Sequence, residues 1–309
     1  MRALVYQPHH PGQLAFVEVP EPVPTSSQAL VQVHAVSLNF GEVAFLSEMR
    51  RPGEVPGWDA AGVVLRAAAD GSGPKAGARI VGFGRGGAWA ERRAIDVSEL
   101  AVVPDGVDLG AASALPVAGV TALRALRALG PIVGRRVLVT GASGGVGRFA
   151  VQLARRAGAT VIASVGSERR DEGLRALGAD EIVLGVEGLG LPVFGVLDNV
   201  GGPLLAQAFA LIERGGSLQS IGMASREPST IDFESERRRA GQRKIEVFAV
   251  GDRFGGDIAY LLGLLELGKL DPSIGWRSGW DRIEPAADAL LARQVAGKAV
   301  LDVRAQEVR

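Results

Sequence analysis

A strand, a glycine-rich turn and a helix follow one another directly in the middle of the chain, and this succession constrains the fold more than any other feature. The apolar run Val137–Thr140 leads into the turn, and apolar residues at helical spacing continue to Ala157. The turn consists of Gly141, Ala142, Ser143, Gly144, Gly145, Val146 and Gly147. Such a turn presents bare backbone N–H groups and the positive end of a helix to a diphosphate. We therefore predict a dinucleotide-binding turn, in which Ala142 replaces the first glycine of the Gly-x-Gly-x-x-Gly pattern. The alternative is a structural turn that binds no ligand.

The end of the second strand decides between NADH and NADPH. An acidic residue about 20 residues beyond the turn would bind the ribose 2′-hydroxyl of NADH, but the strand end from Thr160 to Ser167 contains none. A 2′-phosphate would instead meet hydroxyl and guanidinium groups, which suit phosphate oxygens. These candidates are Ser164, Ser167, Arg169 and Arg170. The sequence therefore favours NADPH, although Glu168 would repel a phosphate if its carboxylate pointed inward. The alternative for Arg169 and Arg170 is that both are solvated residues at the start of the next helix.

The spacing of apolar residues divides the chain into two kinds of structure. From Arg136 to about Val250, strand-like runs alternate with helix-like runs, which is typical of a parallel sheet with crossover helices. From Ala3 to Val103 the apolar runs are short and broken by proline and glycine, which predicts a small, mostly β domain. The stretch after Val250 is too short for a third domain. We predict an α/β protein with a Rossmann doubly wound parallel sheet over 115–250 and a second domain from 1–114 plus 251–309.

Composition excludes several classes of function. The chain has 34 basic and 34 acidic residues among 309, so it offers no general attraction to nucleic acid or to an anionic membrane. It has no cysteine, which removes disulfides, thiolate nucleophiles and the usual ligand of dehydrogenase zinc sites. His9 and His10 lie in an N-terminal turn and His34 lies at an outward strand position, so no metal site is predicted. With no leader and no apolar run approaching ~20 residues, we expect a cytoplasmic protein.

Several motifs, in order, carry a resemblance that spans nearly the whole chain. They are Ser37-Leu38-Asn39, Gly57–Val64, Gly87–Glu91, Ala114-Leu115-Pro116, Thr121-Ala122, Val137–Asp180, Asp198–Gly202 and Gly297–Leu301. With these motifs the chain resembles the zinc-independent quinone oxidoreductases of the medium-chain dehydrogenase/reductase superfamily. The resemblance implies a GroES-like catalytic domain built from both ends of the chain, an inserted Rossmann domain that binds NADPH, and an active site in the cleft. Relatives are commonly dimers through the edge of the Rossmann sheet, and Lys244–Val250 is the candidate edge strand.

The resemblance also assigns positions to the cofactor. It places Asn39 and Thr121 near the nicotinamide, Ser164 and Arg170 at the 2′-phosphate, and the backbone at Gly222 beside the nicotinamide ribose. Asn199, Val200 and Met223 complete the candidate cofactor-binding residues. The chain departs from many relatives in having Glu42 for aspartate, Phe45 for a tyrosine, and Leu184-Gly185 where some members carry a further tyrosine. An active-site tyrosine as proton donor is therefore not expected.

Without a metal, the expected reaction is hydride transfer from the nicotinamide to an acceptor that is already electrophilic, a quinone or an α,β-unsaturated carbonyl compound. Asn39 is the candidate for stabilising the developing negative charge, with a turn-capping asparagine as the alternative. Glu42 is the candidate for a proton relay, with a surface carboxylate at a helix start as the alternative. Candidates for an apolar substrate pocket are Phe40, Phe45, Trp58 and Phe83, for which core packing is the alternative.

Two other functions fit the same sequence. One is an enoyl reductase or tailoring enzyme of a biosynthetic pathway, because the substrate pocket carries no motif that can be decoded. The other is a non-catalytic NADPH-binding scaffold or sensor.

Overall fold

The computed structural model describes residues 1–170, 173–239 and 241–303. The chain forms two compact units: Met1–Val120 together with the residues from Asp252 onward, and Thr121–Gly251. The first boundary lies at 120 where the sequence predicts 114, and the second at 251 where it predicts 250. Residues 171, 172, 240 and 304–309 fall within the predicted ranges but outside the described residues.

The first 128 residues contain seven strands and four α-helices, all described. In chain order they are β1 (Arg2–Tyr6), β2 (Leu14–Glu18), β3 (Gln28–Leu38), α1 (Phe40–Ala44), α2 (Leu46–Met49), β4 (Asp59–Arg66), β5 (Arg79–Phe83), β6 (Arg92–Asp96), β7 (Leu100–Val102), α3 (Leu109–Ser113) and α4 (Pro116–Ala128). Proline lacks a backbone donor and suits a first helical turn, so α4 begins at Pro116.

The middle unit is an open parallel sheet. Its elements are β8 (Arg136–Val139), α5 (Gly145–Arg156), β9 (Thr160–Val165), β10 (Glu181–Leu184), β11 (Val193–Asp198), α6 (Gly202–Ala210), β12 (Ile212–Ser220), α7 (Phe233–Arg238) and β13 (Lys244–Val247). The strand order is β10-β9-β8-β11-β12-β13, and every pairing is parallel. The order reverses at β8, and in open sheets of this kind ligands bind beyond the carboxyl ends of the strands at that point. The predicted doubly wound sheet is therefore confirmed, and β10 and β13 are its two edge strands.

The last elements return to the first unit. They are α8 (Gly255–Glu266), β14 (Ile274–Gly279), α9 (Ile283–Leu291) and β15 (Lys298–Asp302). Strand β15 pairs antiparallel with β3, which also pairs antiparallel with β4, in a sheet of order β14-β15-β3-β4-β5-β7 with β6 on β3. The mostly β character predicted for this unit is confirmed. The pairing also brings the last strand of the chain beside the end of β3.

Each unit has an apolar core of its own, as alternating strand residues require. In the first unit the core includes Leu4, Val36, Leu38 and Leu301, and in the second it includes Leu138, Ile162, Val196 and Leu218. No helix in the described part of the chain is both long enough and apolar enough to cross a bilayer.

Candidate functional site

The glycine turn lies between β8 and α5 and is held to the next strand. Gly141 has a φ of +60°, a left-handed conformation that favours glycine, whereas Ala142 has an ordinary φ. The Ala142 N–H donates to Ser164 O at 3.0 Å, which joins the turn to the end of β9. Ala142, which departs from the glycine pattern, therefore does not need a left-handed backbone. The neighbouring Gly141 is the residue of the turn that adopts it.

The N-terminus of α5 presents donors that the helix itself does not use. The first helical hydrogen bond runs from Arg148 N–H to Gly144 O at 2.9 Å. The N–H groups of Gly145, Val146 and Gly147 therefore precede the helical ladder and have no acceptor within it. Together with the helix dipole they favour an anionic group.

Two glycines of the turn have opposite surroundings. A Cβ on Gly147 would lie 2.4 Å from Gly141 O and 2.6 Å from Ala142 Cα, so glycine allows the helix to pack against the turn. A Cβ on Gly144 would meet only Gly141 O, at 3.4 Å, within 4 Å. The side of the turn at Gly144 is therefore open, as a diphosphate that approaches bare backbone would require. This geometry fits a dinucleotide.

The loops after β11 and β12 meet the turn at the same edge of the sheet. Asp198, which is fully buried, accepts from Thr140 Oγ1 at 2.6 Å and from Gly201 N–H at 2.8 Å. Burial raises the pKa of Asp198. Asn199 Nδ2 donates to Thr140 O at 2.9 Å, and a Cβ on Gly222 would lie 2.7 Å from Asn199 O. The structure thus brings Gly141, Asn199 and Gly222 together with Val200 and the half-exposed Met223.

The predicted 2′-phosphate residues lie after β9. Ser164 is buried at the strand end, and its Oγ has no hydrogen-bond partner among the described residues. Ser167 is half-buried, Arg169 is exposed and Arg170 is half-buried. The exposed Glu168 begins a short 3-10 helix with the two arginines. Thr121, predicted near the nicotinamide, is buried within α4.

A second set of polar side chains is buried in the unit formed by the two ends of the chain. Asp59 Oδ2 accepts from Ser37 Oγ at 2.9 Å and from Asn39 Nδ2 at 2.8 Å, and lies 3.4 Å from Lys298 Nζ. Lys298 Nζ also donates to Asn39 Oδ1 at 2.6 Å and to Leu38 O at 3.0 Å. Asp59 is fully buried and Lys298 is 2% exposed. Asp59 and Lys298 thus form a buried ion pair, and each of them hydrogen-bonds one end of the Asn39 amide.

Glu42 belongs to the same set and is not on the surface. Its Oε1 accepts the Asn39 backbone N–H at 2.8 Å, and its Oε2 accepts the Trp58 backbone N–H at 2.8 Å. Glu42 is 2% exposed, so the surface alternative considered for it is wrong. Burial, and next the nearby Asp59 carboxylate, raise the pKa of Glu42 to about 8. The side chain links the start of α1 to the residue before β4.

The four aromatic candidates have different surroundings. Phe40, Phe45 and Trp58 are half-buried, and the Trp58 ring lies 3.3 Å from the position that a Cβ on Gly41 would take. Phe83 is buried and stacks on Phe254, with ring centroids 4.1 Å apart. For Phe83 this is the geometry of core packing.

Sequence reasoning missed Asp59 and Lys298 as site residues. Both stand in motifs that carried the resemblance, Gly57–Val64 and Gly297–Leu301, but neither was assigned a role. Their residue types could have revealed them. Asp59 and Lys298 each adjoin a run of small and aliphatic residues that forms a buried strand, and a charged residue in such a place needs a partner.

The chain is thus a protein with a dinucleotide-binding Rossmann unit and a mostly antiparallel β unit. Residues 145–266 match the family model of zinc-binding dehydrogenases. The chain is 33% identical to the erythronolide synthase EryA2 of Saccharopolyspora erythraea over 91% of its own length, and 37% identical to a chloroplast envelope quinone oxidoreductase homolog of Arabidopsis thaliana over 59%. It resembles the structure of the mycobacterial Rv1454c complexed with NADPH, with a TM-score of 0.87, 26% identity, and coverage of 98% and 100% of the two chains.

The chain belongs to the medium-chain dehydrogenase/reductase superfamily, among its quinone-oxidoreductase-like members, with a Rossmann and a GroES-like domain. The matched region covers 8% of the erythronolide synthase and 60% of the Arabidopsis protein, less than two thirds of either.

The name of the matched family model implies zinc, but the donor set of this chain does not fit it. The sequence has no cysteine. Within residues 1–170, 173–239 and 241–303, no group of three or more histidine, aspartate and glutamate side chains is placed to hold a metal ion. His9, His10 and His34 are all exposed. The residues present therefore do not form the kind of zinc site that dehydrogenases use.

Proposed function

We propose that this protein is an NADPH-dependent oxidoreductase that transfers hydride, without zinc, to a quinone or an α,β-unsaturated carbonyl compound. The observation that carries the proposal is the open turn at Gly144, beside three N–H groups that α5 leaves without a helical acceptor. Membership of the superfamily and the NADPH bound to the similar mycobacterial protein support the same cofactor.

The residues that would hold NADPH lie along the carboxyl edge of the parallel sheet. When bound, the cofactor supplies a hydride from its reduced nicotinamide. The diphosphate would lie on the N–H groups of Gly145–Gly147, and the 2′-phosphate beside Ser164, Arg169 and Arg170. Guanidinium groups suit phosphate oxygens because they donate two parallel hydrogen bonds. The acidic side chain that typically binds the 2′-hydroxyl of NADH is missing from the end of β9.

We propose that Asn39 contacts the reacting centre. Both hydrogens of its amide are engaged, with Asp59 at 2.8 Å and Glu42 at 3.1 Å. Donation to a substrate oxygen would replace the longer of these bonds, and Glu42 would keep the Asn39 backbone N–H. Among the described residues, the hydrogen-bond partners of the two Glu42 oxygens are all N–H donors. We therefore assign Glu42 the task of holding Asn39 and Trp58, with proton relay as its further proposed role.

The experiment is steady-state oxidation of NADPH with a panel of quinones and conjugated enones. Turnover on at least one acceptor class, with saturable NADPH binding, is the expected result. Asn39→Ala should lower kcat and leave the Kd for NADPH nearly unchanged, and an unchanged kcat would remove Asn39 from the mechanism. Tight binding of NADPH without turnover on any acceptor would instead favour a non-catalytic scaffold or sensor.

A second candidate function is enoyl reduction in a biosynthetic pathway. It is favoured by the match to the erythronolide synthase, which extends over 91% of this chain. Enoyl thioesters added to the same panel separate the two: a kcat/KM for a thioester well above that for free quinones and enones would support this candidate.

We further propose a homodimer that forms through β13. All four residues of this edge strand are exposed, and an unpaired edge favours pairing with another chain. A cytoplasmic location stays a prediction from the sequence.

A further inference from the structure

We propose that Lys298 and Asp59 are positioning residues that fix the Asn39 side chain for the reaction. The inference rests on the proposed function, in which Asn39 contacts the reacting centre. Neither residue touches the substrate in this proposal; both act through the asparagine amide.

Three strands bring the residues together. Ser37 pairs with Asp59 between β3 and β4, and Leu38 pairs with Ala299 between β3 and β15. Asp59 and Lys298 are therefore the first residues of the strands on either side of the end of β3, next to Asn39. Strand register alone thus places a carboxylate and an ammonium on either side of one amide.

The chemistry of the two partners leaves the amide a single orientation. A lysine ammonium only donates and an ionised carboxylate only accepts. Lys298 Nζ therefore selects Asn39 Oδ1, at 2.6 Å, and Asp59 Oδ2 selects Nδ2, at 2.8 Å. A flipped amide would set an NH2 against the ammonium and a carbonyl against the carboxylate. Asn39 is the N-cap of α1, but capping alone would not require both ends of its amide to be held by charged groups.

The cost of the pair supports a role beyond packing. Asp59 is 0% and Lys298 2% exposed, and burying two charges costs more in desolvation than an apolar pair of the same volume. In some proteins such groups are retained because they fix a unique geometry. The other oxygen of Asp59 accepts the Val117 N–H at 3.1 Å, so the same carboxylate also holds the start of α4. One ion pair thus fixes Asn39 relative to a helix and two strands.

The test compares three variants by kcat per NADPH-binding site, so that only folded molecules are counted. Lys298→Met removes the donor to Asn39, and Lys298→Met with Asp59→Asn removes it without leaving an unpaired buried charge. Arg243→Met is the matched control, because Arg243 is 4% exposed and pairs with Glu236 in the other unit. A second readout is proton exchange of the Asn39 side-chain amide by NMR.

Both Lys298 variants should lose roughly ten- to a hundredfold in kcat per site, because a small displacement of the Asn39 amide from the reacting atoms lowers the rate by this much. The Kd for NADPH should stay unchanged. The double variant should regain thermal stability over the single variant but not activity. The Asn39 amide protons should exchange slowly in the wild type and faster in both variants. Arg243→Met should lose stability and keep its kcat.

An unchanged kcat per site in both Lys298 variants would overturn the proposal, as would an equal fall in the Arg243→Met control. If the wild type reduces no acceptor, the proposed function fails, and the amide exchange alone then decides whether Lys298 orders Asn39. Unchanged exchange in the single variant would overturn that too.

Discussion

Replacing Gly147 by alanine tests whether the turn after β8 is built for close packing and for a ligand. The added Cβ would lie 2.4 Å from Gly141 O, 2.6 Å from Ala142 Cα and 2.8 Å from Ala142 C. All three neighbours are backbone atoms, and the shortest distance is about 1 Å short of ordinary van der Waals contact. The turn or the helix must therefore move, because no side chain can rotate away.

That displacement should lower both the unfolding free energy and the affinity for NADPH. Overpacking of this kind costs about 1–3 kcal/mol in the free energy of unfolding. The same movement displaces the N–H groups at the start of α5, and loss of about 1.4 kcal/mol of their interaction with a diphosphate raises the Kd for NADPH about tenfold. We expect both losses together in Gly147→Ala.

Gly144→Ala is the matched control within the same turn. Gly144 has a φ of −81°, which alanine adopts freely, and its added Cβ would meet only one atom, at 3.4 Å. Its unfolding free energy should change by no more than about 0.5 kcal/mol. The methyl group would occupy the open side of the turn, so NADPH affinity should still fall.

The assays are denaturant unfolding and titration with NADPH followed by fluorescence. An unchanged unfolding free energy in Gly147→Ala would refute the packing argument. An unchanged Kd in Gly144→Ala would refute the assignment of the open side of the turn to the diphosphate.

Three further predictions concern other parts of the molecule. Because the pKa of Glu42 is raised from 4.5 to about 8, its contribution to stability is present below pH 4.5 and is lost as the pH rises through 8. Glu42→Gln should therefore show a flatter unfolding free energy than the wild type between these pH values, by a few kcal/mol; parallel profiles would contradict the raised pKa. Alanine at both Arg169 and Arg170 should raise the Kd for NADPH far more than that for NADH, and equal losses would show that they do not bind the 2′-phosphate. Val247→Lys, at an edge-strand position 88% exposed, should shift the wild-type dimer toward monomer in analytical ultracentrifugation, and a monomeric wild type would dispose of the proposed interface.

Local sequence signals were sufficient for the nucleotide-binding unit. The turn from Gly141 to Gly147 and the alternation of apolar runs predicted the parallel sheet, because both are properties of neighbouring residues in one stretch of chain. The outward position of His34 was predicted for the same reason, whereas the edge position of β13 came from the family resemblance. Even the alanine at the first glycine position is explained locally, since Gly141 carries the unusual φ.

The contacts around Asn39, in contrast, depend on how the chain folds in three dimensions. Asp59 lies 20 residues away along the chain and Lys298 lies 259 residues away, and no local spacing relates them. Strand pairing from both ends of the chain places them together. Burial excludes the surface alternative for Glu42, which links Asn39 to Trp58 inside the unit. A sequence shows which side chains can be charged. Whether a charge is buried, and which partner it meets, depends on long-range pairing that the chain adopts only when it folds.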